Sequence, residues 1–247
     1  MEKKPAKLKA LEKVRVVLVG SKFSGNIGMI ARVMKNLGFF DLRLVRPRAE
    51  LNKDAYARAV YATELIDEAK IHADLYEAVS DCGIVIGTSR RHAEKRKNLI
   101  GMEQMTELLK PALAANNIAV VFGSEDTGLS NEDARCCYWL VKISPGTGYD
   151  TFSVNHAAAL VLWEINKLVR APAETGRAVA SAQELENFYR HMSEIFTEIE
   201  YIEPGDPRRM MLSFRTLFNR AMLTTREVNM VRGIFSKIKW KIDKHKK

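Results

Sequence analysis

Short apolar runs rich in β-branched residues alternate, over the first two thirds of the chain, with segments of helical periodicity. The first run, Val14–Val19, ends at Gly20, and apolar residues then recur at helical spacing from Ile27 to Leu37. Gly38 follows at the position where a glycine commonly closes a helix. Alternation of strands and helices is typical of a mostly parallel sheet that is covered on both faces. The alternation therefore predicts an α/β fold.

The remaining runs place the loops that follow the strands. Further strands are predicted at residues 42–45, 83–86, 118–122 and 139–143, with helices up to about residue 69, near 102–115 and at 155–169. In open parallel sheets, ligands bind beyond the carboxyl ends of the strands. We therefore expect the functional site in the segments that follow them, residues 20–32, 87–98, 123–131 and 144–156.

The last third of the chain has a different pattern. Residues 171–180 contain a proline and a glycine and show no strong periodicity, which is typical of a linker. Beyond them, three segments have apolar residues at helical spacing. Ser181 with Glu184 and Thr224 with Glu227 form capping pairs that open the first and third of these helices. The predicted organisation is a basic tail at 1–13, an α/β domain at 14–170, a linker at 171–180 and a helical domain at 181–247.

The charge balance favours a polyanionic partner. Lys and Arg number 39 against 30 Asp and Glu, which gives a net charge of +9. No apolar run approaches the roughly 20 residues of a membrane span, and the start is too polar for a secretory signal. Cys82 stands alone and Cys136 and Cys137 are adjacent, so neither zinc spacing nor a disulfide framework is present. We expect a cytoplasmic protein without a membrane segment or a metal.

Three segments carry candidate chemistry, and the first is residues 25–32, GNIGMIAR. Asn26 lies at the entrance of the predicted helix, and Arg32 falls nearly two turns later, within about 120° of the same face. Arg32 either covers neighbouring apolar residues with its aliphatic stem or clamps a phosphate with its guanidinium. Both interpretations remain open from the pattern alone.

The second segment is residues 120–132, VVFGSEDTGLSNE, in which a buried strand ends at Gly123 and Ser130 caps the next helix. A glycine at a strand end lets a ligand approach the backbone, and the Glu125 carboxylate can meet a cation or a ribose hydroxyl. The alternative is an ordinary acidic turn, because no glycine-rich phosphate motif stands here.

The third segment, residues 144–156, SPGTGYDTFSVNH, places small polar groups before a long helix. Its amides and hydroxyls can contact a ligand, as a helix N-terminus does. We interpret His156 as a packing or hydrogen-bonding residue, with a catalytic base as the alternative.

Together and in this order, the segments NIGMIAR, VVFGSEDTGLSNE and TFSVNHAAALVLWE resemble the three motifs of the SPOUT class of RNA methyltransferases, in its TrmH (SpoU) branch. The resemblance covers residues 14–170. The C-terminal FRTLFNRAMLTTREVNMVRGIF is similar to the helical domain of the TrmJ enzymes of this family, which methylate the tRNA anticodon loop. The resemblance implies a C-terminal trefoil knot, a homodimer, S-adenosylmethionine as cofactor, and 2′-O-methylation of tRNA at nucleotide 32.

The resemblance also implies roles for individual residues. It assigns catalysis to Asn26, Arg32, Glu125, Ser153 and Asn155. It assigns cofactor binding to Thr88, Ser89, Gly123, Glu125, Gly128, Ile143, Pro145, Thr151 and Ser153. Because a guanidinium stays protonated in proteins, we rank Arg32 as a phosphate clamp ahead of a literal base.

RNA contacts are predicted for arginines in both domains. Those in the helical domain lie outside its apolar stripes, and a merely solvated surface is the alternative interpretation. The predicted contacts are Arg32, Arg90, Arg91, Arg215, Arg220 and Arg226.

The third segment departs from the family pattern. The usual Ser-x-Asn-x-Ser falls on Thr151, Ser153 and Asn155, so the amide is missing at its usual place, and we expect Asn155 to replace it. The departure keeps a catalytically weakened RNA-binding homologue as one alternative; methylation of rRNA or of another tRNA position is a second. An ordinary nucleotide-dependent enzyme is a third, but it predicts a phosphate loop after Gly20, where SKFSG stands.

Overall fold

A computed structural model describes residues 10–89, 98–144, 146, 152–170, 178–202 and 207–245. Within these ranges, seven parallel strands form one sheet in the order β3-β2-β1-β6-β4-β7-β5. The strands are β1 Val14–Val19, β2 Asp41–Val45, β3 Lys70–His72, β4 Ile84–Thr88, β5 Leu99–Gly101, β6 Ile118–Phe122 and β7 Trp139–Lys142. The predicted parallel α/β fold is confirmed.

The inner strands read as continuous apolar runs because both of their faces are covered. All five residues of β6 are buried, and β1 is buried except for Arg15. The five strands expected from the sequence are present to within two residues at each end. The edge strands β3 and β5 were not predicted. Each has only three residues, and an edge strand does not need the long apolar run that reveals an inner one.

Seven helices of the described part connect and follow the strands. They are α1 Ser24–Leu37, α2 Lys53–Ala59, α3 Thr63–Asp67, α4 Leu75–Val79, α5 Met102–Leu109, α6 Asn131–Cys136 and α7 Val154–Arg170. The predicted end of α1 is confirmed: Gly38 has φ 81°, and its N–H donates to the carbonyl of Lys35. The helix expected at 102–115 ends earlier, and residues 110–115 form turns.

Three further helices follow, α8 Ala182–Glu198, α9 Pro207–Ala221 and α10 Thr225–His245. Both predicted capping pairs form, with Ser181 reciprocally bonded to Glu184 and Thr224 to Glu227. The Phe188 ring lies 5.1 Å from that of Phe218 and 6.0 Å from that of Phe235, centroid to centroid, so the three helices share an aromatic core. No helix in the described ranges is long and apolar enough to cross a membrane.

This helical module packs on the amino edge of the sheet. The Ala182 N–H donates to the carbonyl of Cys82 at 2.8 Å, and the Val179 N–H donates to Oδ1 of Asn116 at 2.8 Å. Cys82 precedes β4 and Asn116 precedes β6, so both acceptors lie where strands begin. The loops that follow the strands lie at the opposite edge.

Residues 10–13, where the described part begins, pack against the α/β domain. Leu11 is only 4% exposed, and Lys13 Nζ donates to the carbonyl of Ala114. Residues 10–13 therefore belong to the packed domain and not to the expected tail, because an apolar side chain there fills the core.

The trefoil knot stays a prediction, since residues 145 and 147–151, just before α7, lie outside the described part.

Candidate functional site

A cleft opens at the carboxyl edge of the sheet, where β4, β6 and β7 end. Its lining combines hydroxyl and carboxylate groups with apolar side chains, among them Val141, Phe152 and Val154. Such a lining suits a ligand that has both an apolar ring and polar groups. Of the nine residues predicted to bind the cofactor, six line this cleft: Thr88, Ser89, Gly123, Glu125, Gly128 and Ile143.

The other three predicted cofactor residues belong to the third motif. Ser153 stands in the chain between two residues of the cleft wall, Phe152 and Val154. Pro145 and Thr151 lie outside the described residues. The cofactor-binding role of all nine stays a prediction, although six of them line the same cleft.

The loop after β6 folds back tightly on itself. The Gly128 N–H donates to the carbonyl of Ser124 at 2.9 Å, and Gly128 has φ +66°, which favours glycine. A Cβ on Gly123 would lie 2.2 Å from the carbonyl carbon of Gly128. The two glycines therefore let the loop close on itself and form part of the cleft wall.

Glu125 ties this loop to the loop after β1. Its Oε1 accepts a hydrogen bond from Asn26 Nδ2 at 2.9 Å, and its Oε2 accepts one from the N–H of Lys22 at 3.0 Å. From the sequence we expected this carboxylate to meet a cation or a ribose hydroxyl. In the structure both oxygens accept from the protein, so Glu125 orients Asn26 at the entrance of α1.

A second connection joins the same two loops. Lys22 Nζ pairs with the carboxylate of Asp126, which also accepts from Ser124 Oγ at 2.8 Å. The Lys22 hydrogen bond, followed by that from Ser124, lowers the pKa of Asp126 below its ordinary value. Lys22 and Asp126 were not singled out in the sequence, and only their pairing across 104 residues reveals them.

Ser130 caps α6 as predicted, since its Oγ accepts from the N–H of Asp133 at 3.0 Å. The buried Asp133 carboxylate also accepts from Arg46 Nη2 at 2.6 Å. Arg46 follows β2 and has φ 45°. The loops after β1, β2 and β6 are therefore linked through side chains at one edge of the sheet.

Arg32 is placed differently from Asn26, although both belong to the first motif. Asn26 is half-buried and points to Glu125, whereas the Arg32 side chain is exposed. Arg32 has no hydrogen bond or ion pair to any residue that the structure describes. An exposed guanidinium agrees with the clamp interpretation, and the role of Arg32 stays a prediction.

The third motif packs against the first. Asn155 Nδ2 lies 3.4 Å from Sδ of Met29, which falls midway between Asn26 and Arg32 in the sequence. Asn155 Oδ1 is buried and has no partner among the described residues. Nearby in the chain, Ser153 Oγ and His156 Nδ1 are 2.8 Å apart. The structure therefore brings Asn155 to the α1 helix and pairs Ser153 with His156.

Besides Arg32, the arginines predicted to contact RNA fall into three groups. Arg215 donates to both carboxylate oxygens of Glu186 at 2.7 Å and lies 4.4 Å from the centroid of the Tyr189 ring. Its guanidinium fastens α9 to α8, which gives it a structural role, and its contact with RNA stays a prediction. A sequence pattern places it outside the apolar stripe but cannot show this partner. Arg220 and Arg226 are exposed, and Arg90 and Arg91 lie outside the described part.

Comparison with known proteins adds an independent line of evidence. The model of the SpoU rRNA Methylase family matches residues 13–163, and that of the C-terminal domain of the tRNA methyltransferase TrmJ matches residues 183–247. The chain is 32% identical over 240 residues to the tRNA (cytidine/uridine/adenosine-2′-O-)-methyltransferase TrmJ of Pseudomonas aeruginosa, covering 92% of this chain and 93% of that protein. It is also 32% identical over 236 residues to the tRNA (cytidine/uridine-2′-O-)-methyltransferase TrmJ of Escherichia coli K12, covering 92% and 96%.

The fold is similar to a solved relative over nearly the whole length. The crystal structure of TrmJ from Z. mobilis ZM4 superposes with a TM-score of 0.77 at 26% identity, over 91% of this chain and 98% of that one. A match of both family models along one chain, together with this fold, agrees with the three motifs and the helical module described above. The chain belongs to the SpoU family of RNA methyltransferases and carries a C-terminal domain of the TrmJ type.

Proposed function

We propose that this chain transfers a methyl group from S-adenosylmethionine to a ribose 2′-hydroxyl of tRNA, at nucleotide 32 of the anticodon loop. The observation that carries the proposal is the Asn26–Glu125 hydrogen bond, which joins the first and second motifs beside the cleft. The names of the TrmJ relatives support a tRNA substrate. The position within tRNA rests on the resemblance of the helical module.

The cleft fits the proposed cofactor. Val141, Ile143 and Phe152 offer an apolar wall to the adenine ring, and Thr88 and Ser89 offer hydroxyls to polar groups. The close approach of Gly123 to Gly128 leaves no room for a side chain at that part of the wall. When bound, S-adenosylmethionine supplies the electrophilic methyl group.

The chain's own residues position the RNA. Arg32 clamps a phosphate next to the target ribose, because its exposed guanidinium matches a phosphate and has no described protein partner. Asn26, held by Glu125, directs its amide group at the same site. Holding the hydroxyl oxygen in line with the methyl group supplies much of the rate enhancement. Since Arg32 stays protonated, it stabilises the charge that develops when the hydroxyl loses its proton.

We also infer a cytoplasmic homodimer in which residues 181–247 bind RNA. Leu160 is 39% exposed and Trp163 46% exposed, on neighbouring turns of α7. Such apolar exposure on a helix beside the cleft supports a face that a second copy covers. Light scattering after size-exclusion chromatography measures the mass directly, and a monomer at micromolar concentration contradicts the dimer.

The central experiment measures transfer of tritiated methyl groups to tRNA transcripts and maps the modified nucleotide. We expect methylation at nucleotide 32 and loss of it when that ribose is a 2′-deoxyribose. Arg32→Ala should abolish transfer and leave cofactor binding nearly intact, because Arg32 does not line the cleft. Asn36→Ala, at another exposed position one turn later in α1, is the matched control and should behave as wild type.

Three outcomes contradict parts of the proposal. Cofactor binding without transfer to any RNA indicates a weakened RNA-binding homologue. Transfer to rRNA or to another tRNA position corrects the substrate and leaves the chemistry in place. Loss of cofactor binding in a folded Arg32→Ala variant contradicts the role given to Arg32.

A further inference from the structure

A polar cleft separates helices α8 and α10 on the helical module. Its volume is about 360 Å³, and Asn187, Arg190, His191 and Glu194 line it from α8, with Arg232 from α10. Two guanidinium groups and one imidazole thus converge on one cavity. None of these residues belongs to the cleft at the carboxyl edge of the sheet.

The two guanidinium groups make few hydrogen bonds or ion pairs with the described residues. Arg190 Nη2 donates one hydrogen bond, to Oδ1 of Asn187 at 2.7 Å. The Arg232 guanidinium has no hydrogen bond or ion pair to a residue in the described ranges. Glu194 is the one carboxylate in the lining, so the cleft holds an excess of positive charge. In the same module, by contrast, Arg215 is fully paired with Glu186.

The imidazole of His191 lines the cleft together with the two guanidinium groups. Its Nδ1 is buried and has no partner in the described part, and its ring packs edge-on to Phe235 at 5.9 Å between centroids. A neutral imidazole donates from one nitrogen and accepts at the other, so the ring can offer a hydrogen bond to a ligand. Burial, and after it the charge of Arg232, lowers the pKa of His191. The charge of Glu194 opposes this shift, and that of Lys239 adds to it.

We propose that the α8–α10 cleft binds a phosphate group of the tRNA backbone, with Arg190 and Arg232 as its charged ligands and His191 as a hydrogen-bond donor. The proposal rests on the proposed function and deepens it by naming the surface of the module that meets the substrate. Guanidinium groups match the oxygens of a phosphate in geometry and charge. Backbone contacts of this kind fix the position of a nucleic acid without reading its sequence.

The surface next to the cleft on α10 supports RNA over a small anion. Lys239 lies two turns beyond Arg232, and the neighbouring Trp240 ring is 51% exposed. Lys237 Nζ lies 4.0 Å and Lys244 Nζ 5.4 Å from the centroid of that ring. Basic side chains around an exposed aromatic ring suit a nucleic-acid strand, because a base can stack where the phosphates are neutralised.

The test uses the full-length chain and measures tRNA affinity against salt concentration. The double variant Arg190→Gln/Arg232→Gln should bind tRNA roughly 10- to 100-fold more weakly, as expected for lost charge-assisted contacts. The slope of log affinity against log salt should fall by about 0.7 to 0.9, the share of one phosphate. Glu194→Gln is the matched control of opposite sign, because removal of the carboxylate should strengthen binding. Thermal melting and S-adenosylmethionine titration should stay at wild-type values in all variants.

The outcomes separate this proposal from the proposed function. Wild-type affinity and slope in a folded double variant overturn the phosphate site. Tight binding of inorganic phosphate that is lost in the double variant, with tRNA binding unchanged, also overturns it, because the ligand is then a free anion. If the wild-type chain binds tRNA through the cleft but methylates no RNA, the proposed function fails and the phosphate site stands.

Discussion

Replacement of Gly123 by alanine tests how the cleft at the carboxyl edge is built. Gly123 ends β6 and lies on the wall of the cleft. An added Cβ would lie 2.2 Å from the carbonyl carbon of Gly128, 2.2 Å from the nitrogen of Leu129 and 2.7 Å from the carbonyl oxygen of Gly128. Ordinary contact begins at 3.4 Å, so the two backbone segments must separate by about 1.2 Å.

The cost follows from what surrounds the new methyl group. The atoms that it meets belong to the backbone, so no side-chain rotation relieves the overlap. Overpacking of this kind costs about 1 to 3 kcal/mol. If the cost appears as lost cofactor affinity, it corresponds to roughly 5- to 150-fold weaker binding. The same shift moves Glu125, two residues later, and with it the hydrogen bond to Asn26.

Two other glycines provide controls for Gly123→Ala. A Cβ on Gly101 meets nothing within 4 Å, so Gly101→Ala should be neutral. Gly128 also has open space but has φ +66°, so Gly128→Ala should lose about 1 to 2 kcal/mol of stability through backbone strain alone. Calorimetric titration with S-adenosylmethionine and urea denaturation would be measured on all three. Wild-type cofactor affinity in a folded Gly123→Ala variant would refute the reasoning.

Three further predictions use other parts of the chain. Burial opposes ionisation of Asp81, but the hydrogen bond and charge of Arg43 lower its pKa to about 2; the wild type should therefore lose stability as pH falls from about 4 to 2, and Asp81→Asn should flatten this dependence in acid denaturation. Asn155→Ala should cost more methyl transfer than Ser153→Ala, since only Asn155 contacts α1, and equal activities contradict this. Arg215→Ala should lower the free energy of unfolding by about 1 kcal/mol without changing the salt dependence of tRNA binding, and a flatter salt slope contradicts its structural role.

The sequence predicts the inner part of the sheet because burial on both faces leaves a strong local pattern. Runs such as Val14–Val19 and Ile118–Phe122 admit few polar residues, and the strand boundaries follow. At the edges, the strands Lys70–His72 and Leu99–Gly101 are held by pairing with a neighbour and not by their own composition. Their existence depends on contacts far away in the chain, which periodicity does not contain.

Contacts between residues that are distant in the chain also limit what the sequence predicts about the candidate functional site. The rule that ligands bind beyond strand ends placed the right loops together, and most predicted cofactor residues line one cleft. The local sequence pattern could not show that both carboxylate oxygens of Glu125 accept hydrogen bonds from residues 22 and 26, because these partners lie about a hundred residues earlier. For the arginines, a local pattern cannot distinguish the paired Arg215 from Arg232, which lacks a described partner.

Under the proposed function, methyl transfer and RNA binding by the helical module take place at opposite edges of the sheet. The cofactor cleft lies at the carboxyl edge, whereas the helical module is bonded to Cys82 and Asn116 at the amino edge. A strand of five residues such as β6 spans about 17 Å, so at least that distance separates the two edges. If the module binds RNA as proposed, it holds the RNA from the amino edge, while Arg32, Asn26 and the cleft position the target ribose at the carboxyl edge.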